Sequence, residues 1–255
     1  MMIKRFLFAT FFVLGLTALP DISFAQSINI DLGGENSGSV TGRVVQLVVL
    51  ITVLSLAPSI LIMMTSFTRI VVVLSFLRTA LGLQQTPPNT VMISLAMFLT
   101  LFIMAPTLQA AYENAIVPLM SEDIDEVTAF ERGAEPFHAF MMSHVRDKDL
   151  NMFMELSETP MPEEAADVPI QVLIPSFMIS ELRRAFEIGF MLFLPFLIID
   201  LVVASILMSM GMMMLPPITI SLPFKIMFFV LVDGWYLITG SIIQGYNQVG
   251  VVPTG

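Results

Sequence analysis

IGFMLFLPFLIIDLVVASILM, residues 188–208, carries a single charge, Asp200, in an otherwise apolar run. About 20 such residues, rising about 1.5 Å each as a helix, suffice to cross roughly 30 Å of hydrocarbon. Three more stretches share this character: Val44–Met64, Val91–Ala111 and Ile218–Ile243. The sequence therefore predicts an all-α integral membrane protein with four long apolar helices. Pro58, Pro106 and Pro195 lie inside these stretches. Each frees a backbone carbonyl that lipid cannot satisfy, so neighbouring helices must cover the kinks. This favours an assembled bundle over isolated spans.

Composition agrees with that reading. Apolar residues make up 56 % and charged residues 13 % of the 255, against roughly 45–50 % and 25 % in ordinary globular domains. So few charges cannot coat a globular surface, and the excess apolar area needs lipid or partner subunits. The net charge of −10 does not suit a nucleic-acid binder, which needs basic patches. With no cysteine, disulfides, thiolate metal sites and cysteine nucleophiles are excluded. The 21 methionines predict a pliable interior or binding surface.

Residues 1–25 read as a signal peptide. Lys4 and Arg5 precede the apolar run Phe6–Leu19, Pro20 breaks it, and Ser23-Phe24-Ala25 places small residues at a cleavage site. Residues 26–42, rich in glycine and serine, read as a flexible extracytoplasmic tail. With the mature N-terminus outside, Arg69 and Arg78 fall in an inner loop between the first two stretches, as the positive-inside rule prefers. The same topology leaves region 112–187 and the C-terminus outside. Arg183 and Arg184 then sit on the outer side, which hints that simple spanning is not the whole picture.

Region 112–170 carries 14 acidic and 3 basic residues, a net of −11. Phe137, Phe140, Met141 and Val145 follow helical spacing, and Asp149 can cap a second helix bearing Leu150, Phe153 and Met154. These predict an acidic extracytoplasmic helical insertion, either a hairpin with its own core or a subunit-docking surface. Residues 157–169, with three prolines and four acids, read as a linker.

No phosphate-cradling glycine loop, zinc-protease helix or nucleophile elbow is present in the sequence. His138 and His144 are six residues apart and share no helix face, so no metal or other cofactor is expected. Asp200 and Asp233 stand in different apolar stretches and admit three readings: helix–helix hydrogen bonds, a proton path, or an intramembrane protease pair. Glu181, Arg183, Arg184 and Glu187 precede the 188–208 run. Arg184 has helical pairing distance to Glu181 or Glu187, and Arg183 to Glu187. With Asp200, Lys225 and Asp233 they form ionisable groups in or beside apolar sequence, which must pair within or between subunits.

Met208, Met210, Met212, Met213 and Met214 fall within seven residues and are followed by Pro216-Pro217. They are either filler at a helix end or a pliable apolar ring closing a pore. A second function class, a small ion channel or solute transporter using Asp200, Asp233 and Lys225, also fits the residues.

Four segments carry a resemblance that covers nearly all of the mature chain: FTRIVVVLSFLRTALGLQQTPPN at 67–89, EPFHAFMMSHVRDKDLNMF at 135–153, PSFMISELRRAFEIGF at 175–190 and MMMLPPITISLPFKIMFFVLVDGW at 212–235. They resemble the FliP family, subunits of the flagellar type III export gate. The resemblance implies a single export-gate domain over 43–255, without enzymatic activity. It implies about five copies assembled with FliQ and FliR, joined by FlhB, in the inner membrane at the flagellar basal body. Unfolded flagellar proteins would pass through the assembly. A methionine gasket would fall on Met212, Met213 and Met214. Interface positions would fall on Phe140, Phe153 and Glu181, with Arg146 and Lys225 as charged contacts.

Overall fold

The computed structural model describes residues 40–158, 160, 162, 164–212 and 215–247. The chain divides into two compact units, residues 1–48 and 49–255, and the packing described here is that of the second. The helices in order are α1 (Val40–Met63), α2 (Phe67–Ala80), α3 (Asn89–Ala111), α4 (Val117–Met120), α5 (Glu126–His144), α6 (Asp147–Leu156), α7 (Ile170–Ser209), α8 (Pro217–Leu231) and α9 (Gly234–Asn247). A π-helical turn, Tyr112–Ile116, joins α3 to α4, and a 3-10 turn, Ala165–Asp167, precedes α7. No strand occurs among the described residues, as the sequence predicts. The signal-peptide reading, and most of the predicted tail, fall outside the described residues.

Local chemistry sets the helix ends. Asp125 caps α5, its side chain accepting from the Thr128 backbone N–H at 3.3 Å. Pro217 opens α8 at a position where a missing N–H costs nothing. Gly211, at φ +72°, ends α7. Its N–H reaches the Met208 carbonyl, and the Met212 N–H reaches Leu207, so a left-handed residue satisfies the last carbonyls of the helix.

Helix α7, 40 residues long, is the spine against which α2, α5, α6 and α8 pack. Ile70, Val73, Leu74 and Leu77 recur on one face of α2 and meet Ala185 and Phe196 of α7, Ala96 and Leu99 of α3, Phe229 of α8 and Ile242 of α9. A second cluster joins Met141 of α5 and Leu150 and Met154 of α6 to Val172, Leu173 and Phe177 of α7, with Met64 beside them. Each such side chain removed from water contributes about 1.5–3 kcal/mol. Gly189 lets α2 approach α7 closely, since a Cβ there would lie 2.5 Å from the Phe76 ring.

Several expectations are corrected. Among the described residues, two helices are long and apolar enough to cross a membrane, Asn89–Met120 and Ile170–Ser209, or three if the bent pair α8–α9 counts as one; the first expected stretch, Val44–Met64, falls on α1. The predicted stretch Ile218–Ile243 is broken by 63° where Asp233 adopts φ +50°, which a continuous helix does not allow. Arg69 and Arg78 lie within α2 and not in a loop, and Arg69 is 1 % exposed, so Arg69 carries no topological information. The predicted hairpin has no private core: its apolar face is completed by α7. Asp149 is not the cap of α6, which starts at Asp147 after an extended Arg146; Asp149 sits in the first turn, where the helix dipole favours a carboxylate.

Candidate functional site

The charged residues the sequence singles out resolve into three buried or half-buried bonded groups, one exposed pair and two positions outside them, Arg184 and Asp233. In the first group, Glu181 of α7 is fully buried and receives Arg69 Nε at 2.8 Å. The Arg69 Nη2 and the Tyr246 hydroxyl of α9 also donate to its carboxylate. The Arg69 guanidinium lies 3.7 Å from the centroid of the Tyr246 ring, a cation–π contact. One carboxylate thus ties α2, α7 and α9 together. Phe140, predicted as an interface residue, is half-buried and belongs to the same neighbourhood. Its ring centroid lies 4.5 Å from His144, 5.9 Å from Phe177 and 6.0 Å from Tyr246.

The second group holds α6 on α7. Arg146 donates Nε and Nη2 to the two oxygens of Asp149 at 2.8 and 2.7 Å, a bidentate pair. The Ser180 hydroxyl of α7 donates to Asp149 Oδ2 at 2.7 Å and accepts from the Arg146 backbone N–H at 3.1 Å. The Arg146 guanidinium, followed by the Ser180 bond, holds the Asp149 carboxyl below the usual carboxylate range despite burial. Phe153, the other predicted interface aromatic, packs against the α5–α6–α7 cluster. His144 is pushed below its ordinary value by burial, against the opposing pull of the Phe140 carbonyl.

The third group lies lower on α7. Lys225 of α8 is 3 % exposed and donates Nζ to Asp200 Oδ2 at 2.6 Å and to the Ala80 carbonyl at 3.1 Å. The Ser221 hydroxyl also donates to Asp200. The pair fastens α8 to α7 and to the end of α2. Asp233 lies eight residues beyond Lys225, exposed at the α8–α9 bend. Asp200 is bonded to Ser221 and Lys225, with no bond to Asp233 among the described residues. An acid–base pair of aspartates is therefore not assembled.

Arg184 does not take Glu181, which Arg69 and Tyr246 occupy, and its Nη1 is buried without a hydrogen-bond partner. Arg183 does pair with Glu187, at 2.8 Å on an exposed face, as the spacing predicts. Met212 is exposed in the turn after α7, beside Met208 and Met210. Met213 and Met214 lie outside the described residues. Sequence reasoning missed Arg69, Tyr246, Ser180 and Ser221. Arg69 had a usable signal, an arginine followed by the run IVVVLSFL, which must pair if it is covered; the serines and the tyrosine had none.

The spine helix exposes its apolar second half. In its most apolar 18-residue window 6 % is buried within the chain, against 28 % for Asn89–Met120. Such an arrangement defines a helical membrane subunit that fastens its own helices with buried charge and leaves a long apolar face open. The FliP family model matches residues 50–242. Similar proteins named flagellar biosynthetic protein FliP occur in Caulobacter vibrioides, 58 % identical over 90 % of this chain and 86 % of that protein, and in Bacillus subtilis, 57 % identical over 79 % and 91 %. One in Rhizobium meliloti is 48 % identical over 94 % and 98 %. The chain belongs to the FliP family.

Proposed function

We propose that the chain is a pore-forming, non-enzymatic subunit of the flagellar type III protein export gate in the bacterial inner membrane. About five copies, with FliQ, FliR and FlhB, form a closed assembly through which unfolded flagellar proteins leave the cytoplasm. Residues 43–255 form one gate domain, 112–170 its acidic extracytoplasmic part, and residues 1–25 a signal peptide that is cleaved ahead of the 26–42 tail.

The observation that carries this reading is the methionine-rich turn at the end of the bare half of α7. Met208, Met210 and Met212 are 62 %, 61 % and 38 % exposed, so the chain itself makes little use of them as filler. Thioether side chains are unbranched and mould around varied surfaces, and a ring of them from several copies makes an apolar constriction that water and ions do not cross. Met212, Met213 and Met214 are the proposed gasket. Phe140, Phe153, Glu181, Arg146, Arg184, Lys225 and Asp233 remain proposed interface or ion-pair positions. Arg184 and Asp233 are the two whose side chains have no bond within the described chain.

Replacing Met212, Met213 and Met214 with glycine tests the gasket. The expected result is a raised ion conductance of membranes carrying the assembled complex, with slowed growth. Wild-type conductance with a normally assembled complex would refute the constriction.

A further inference from the structure

We infer that a groove between α5 and the turn before α7 docks a cationic amphipathic segment of another polypeptide. The groove, about 830 Å³, is lined by Phe130, Met142 and Ile170 and by the carboxylates of Glu131, Glu135 and Asp167. His138 builds its wall, Nε2 lying 2.8 Å from the Val168 carbonyl and holding the 165–168 turn against α5. Phe130 is 79 % exposed and Val127, one turn earlier on α5, 65 %. Large apolar side chains in such positions call for a partner.

Lipid is a poor occupant. Three carboxylates line the groove, and it lies in a region of 14 acids and 3 bases, which hydrocarbon would not solvate. A second copy presenting the same acidic region would meet like charge. A segment with an apolar face flanked by lysine and arginine satisfies both features: its apolar side chains enter the lining and its cations meet the rim. Rim charges of this kind act mainly on association rate and partner choice, and they weaken with salt. The inference rests on the groove alone and stands or falls separately from the pore reading.

The test uses the full chain in its purified complex in non-ionic detergent. The probe is a fluorescent synthetic helix of leucine, lysine and arginine, with a control in which every lysine and arginine is replaced by glutamate. The cationic helix is expected to bind and to weaken steeply with salt. Its affinity should fall about tenfold for the triple variant Glu131→Gln, Glu135→Gln, Asp167→Asn. Ala134→Trp, which fills the groove, should abolish binding. In cells, a benzoylphenylalanine crosslinker in place of Phe130 should capture a polypeptide through a lysine- or arginine-rich segment. Equal binding of the glutamate helix, unchanged affinity in the triple variant, or crosslinks confined to lipid or to further copies of this chain would each overturn the proposal.

Discussion

The two halves of α7 belong to one continuous helix and obey different physics. Over residues 170–189 the helix buries Leu173, Ser176, Phe177, Ser180, Glu181, Ala185 and Gly189, a polar and apolar face matched by α2, α5 and α6. Over residues 190–209 only Phe196 and Leu207 are buried, and Phe190, Met191, Ile198 and Leu201 stand clear of the chain. In the first half the chain supplies its own partners, including a buried carboxylate shared by Arg69 and Tyr246. In the second half hydrocarbon is as apolar as the side chains, so burial there gains little, and close packing against other helices is what holds it. The first half is packed by the chain itself; the second, apart from Phe196, Leu207 and the Asp200–Lys225 pair, is an offered surface.

The sharpest way to break that comparison is to strike the first half. Glu181→Leu strands the Arg69 guanidinium in a buried site and should cost about 3–5 kcal/mol, read as loss of thermal stability in detergent. Adding Arg69→Met removes the stranded charge and should restore much of it. Equal damage in the single and double variants would mean that the two residues are not coupled. Gly189→Leu comes next. Its side chain enters the Phe76 ring, and overpacking of this kind costs about 1–3 kcal/mol.

Acidification separates the polar groups around the same half. His144 is held neutral by burial, so its contribution is full above its unfolded value near 6.5 and is lost as pH falls below it. Asp149, held low first by the Arg146 guanidinium, contributes fully above about 3.8, its unfolded value, and loses that contribution as pH drops further through its folded value. Stability against pH should therefore decline in two steps, His144→Gln removing the upper and Asp149→Asn the lower. A single step insensitive to both variants would contradict the assignment.

The smallest effect belongs to the second half. Leu201→Ala should change the stability of the isolated chain by no more than about 0.5 kcal/mol, yet weaken the assembled complex in native gels. A large loss in the isolated chain would mean that this face is already covered.

Helix class, the long apolar runs and the methionine cluster were legible because they are written in consecutive residues. Pairing was legible where it was local: Arg183 and Glu187 at one helical turn. It was not legible for Glu181, whose partners lie 112 and 65 residues away and compete with the neighbouring Arg184. The bend falls on Asp233-Gly234, a turn-forming dipeptide that the long apolar runs on either side outweighed, and aspartate tolerates the left-handed region that most residues avoid. The shared core of α5 and α6 was hidden for a different reason: helical spacing shows which face is apolar and not what covers it.

The measurement that tests the account most directly is a clean deletion of the gene, scoring hook and filament subunits inside and outside the cell. The account predicts that the subunits are made but retained inside, that swimming is lost, and that the intact gene restores both. Normal export and swimming in the deletion strain would contradict it.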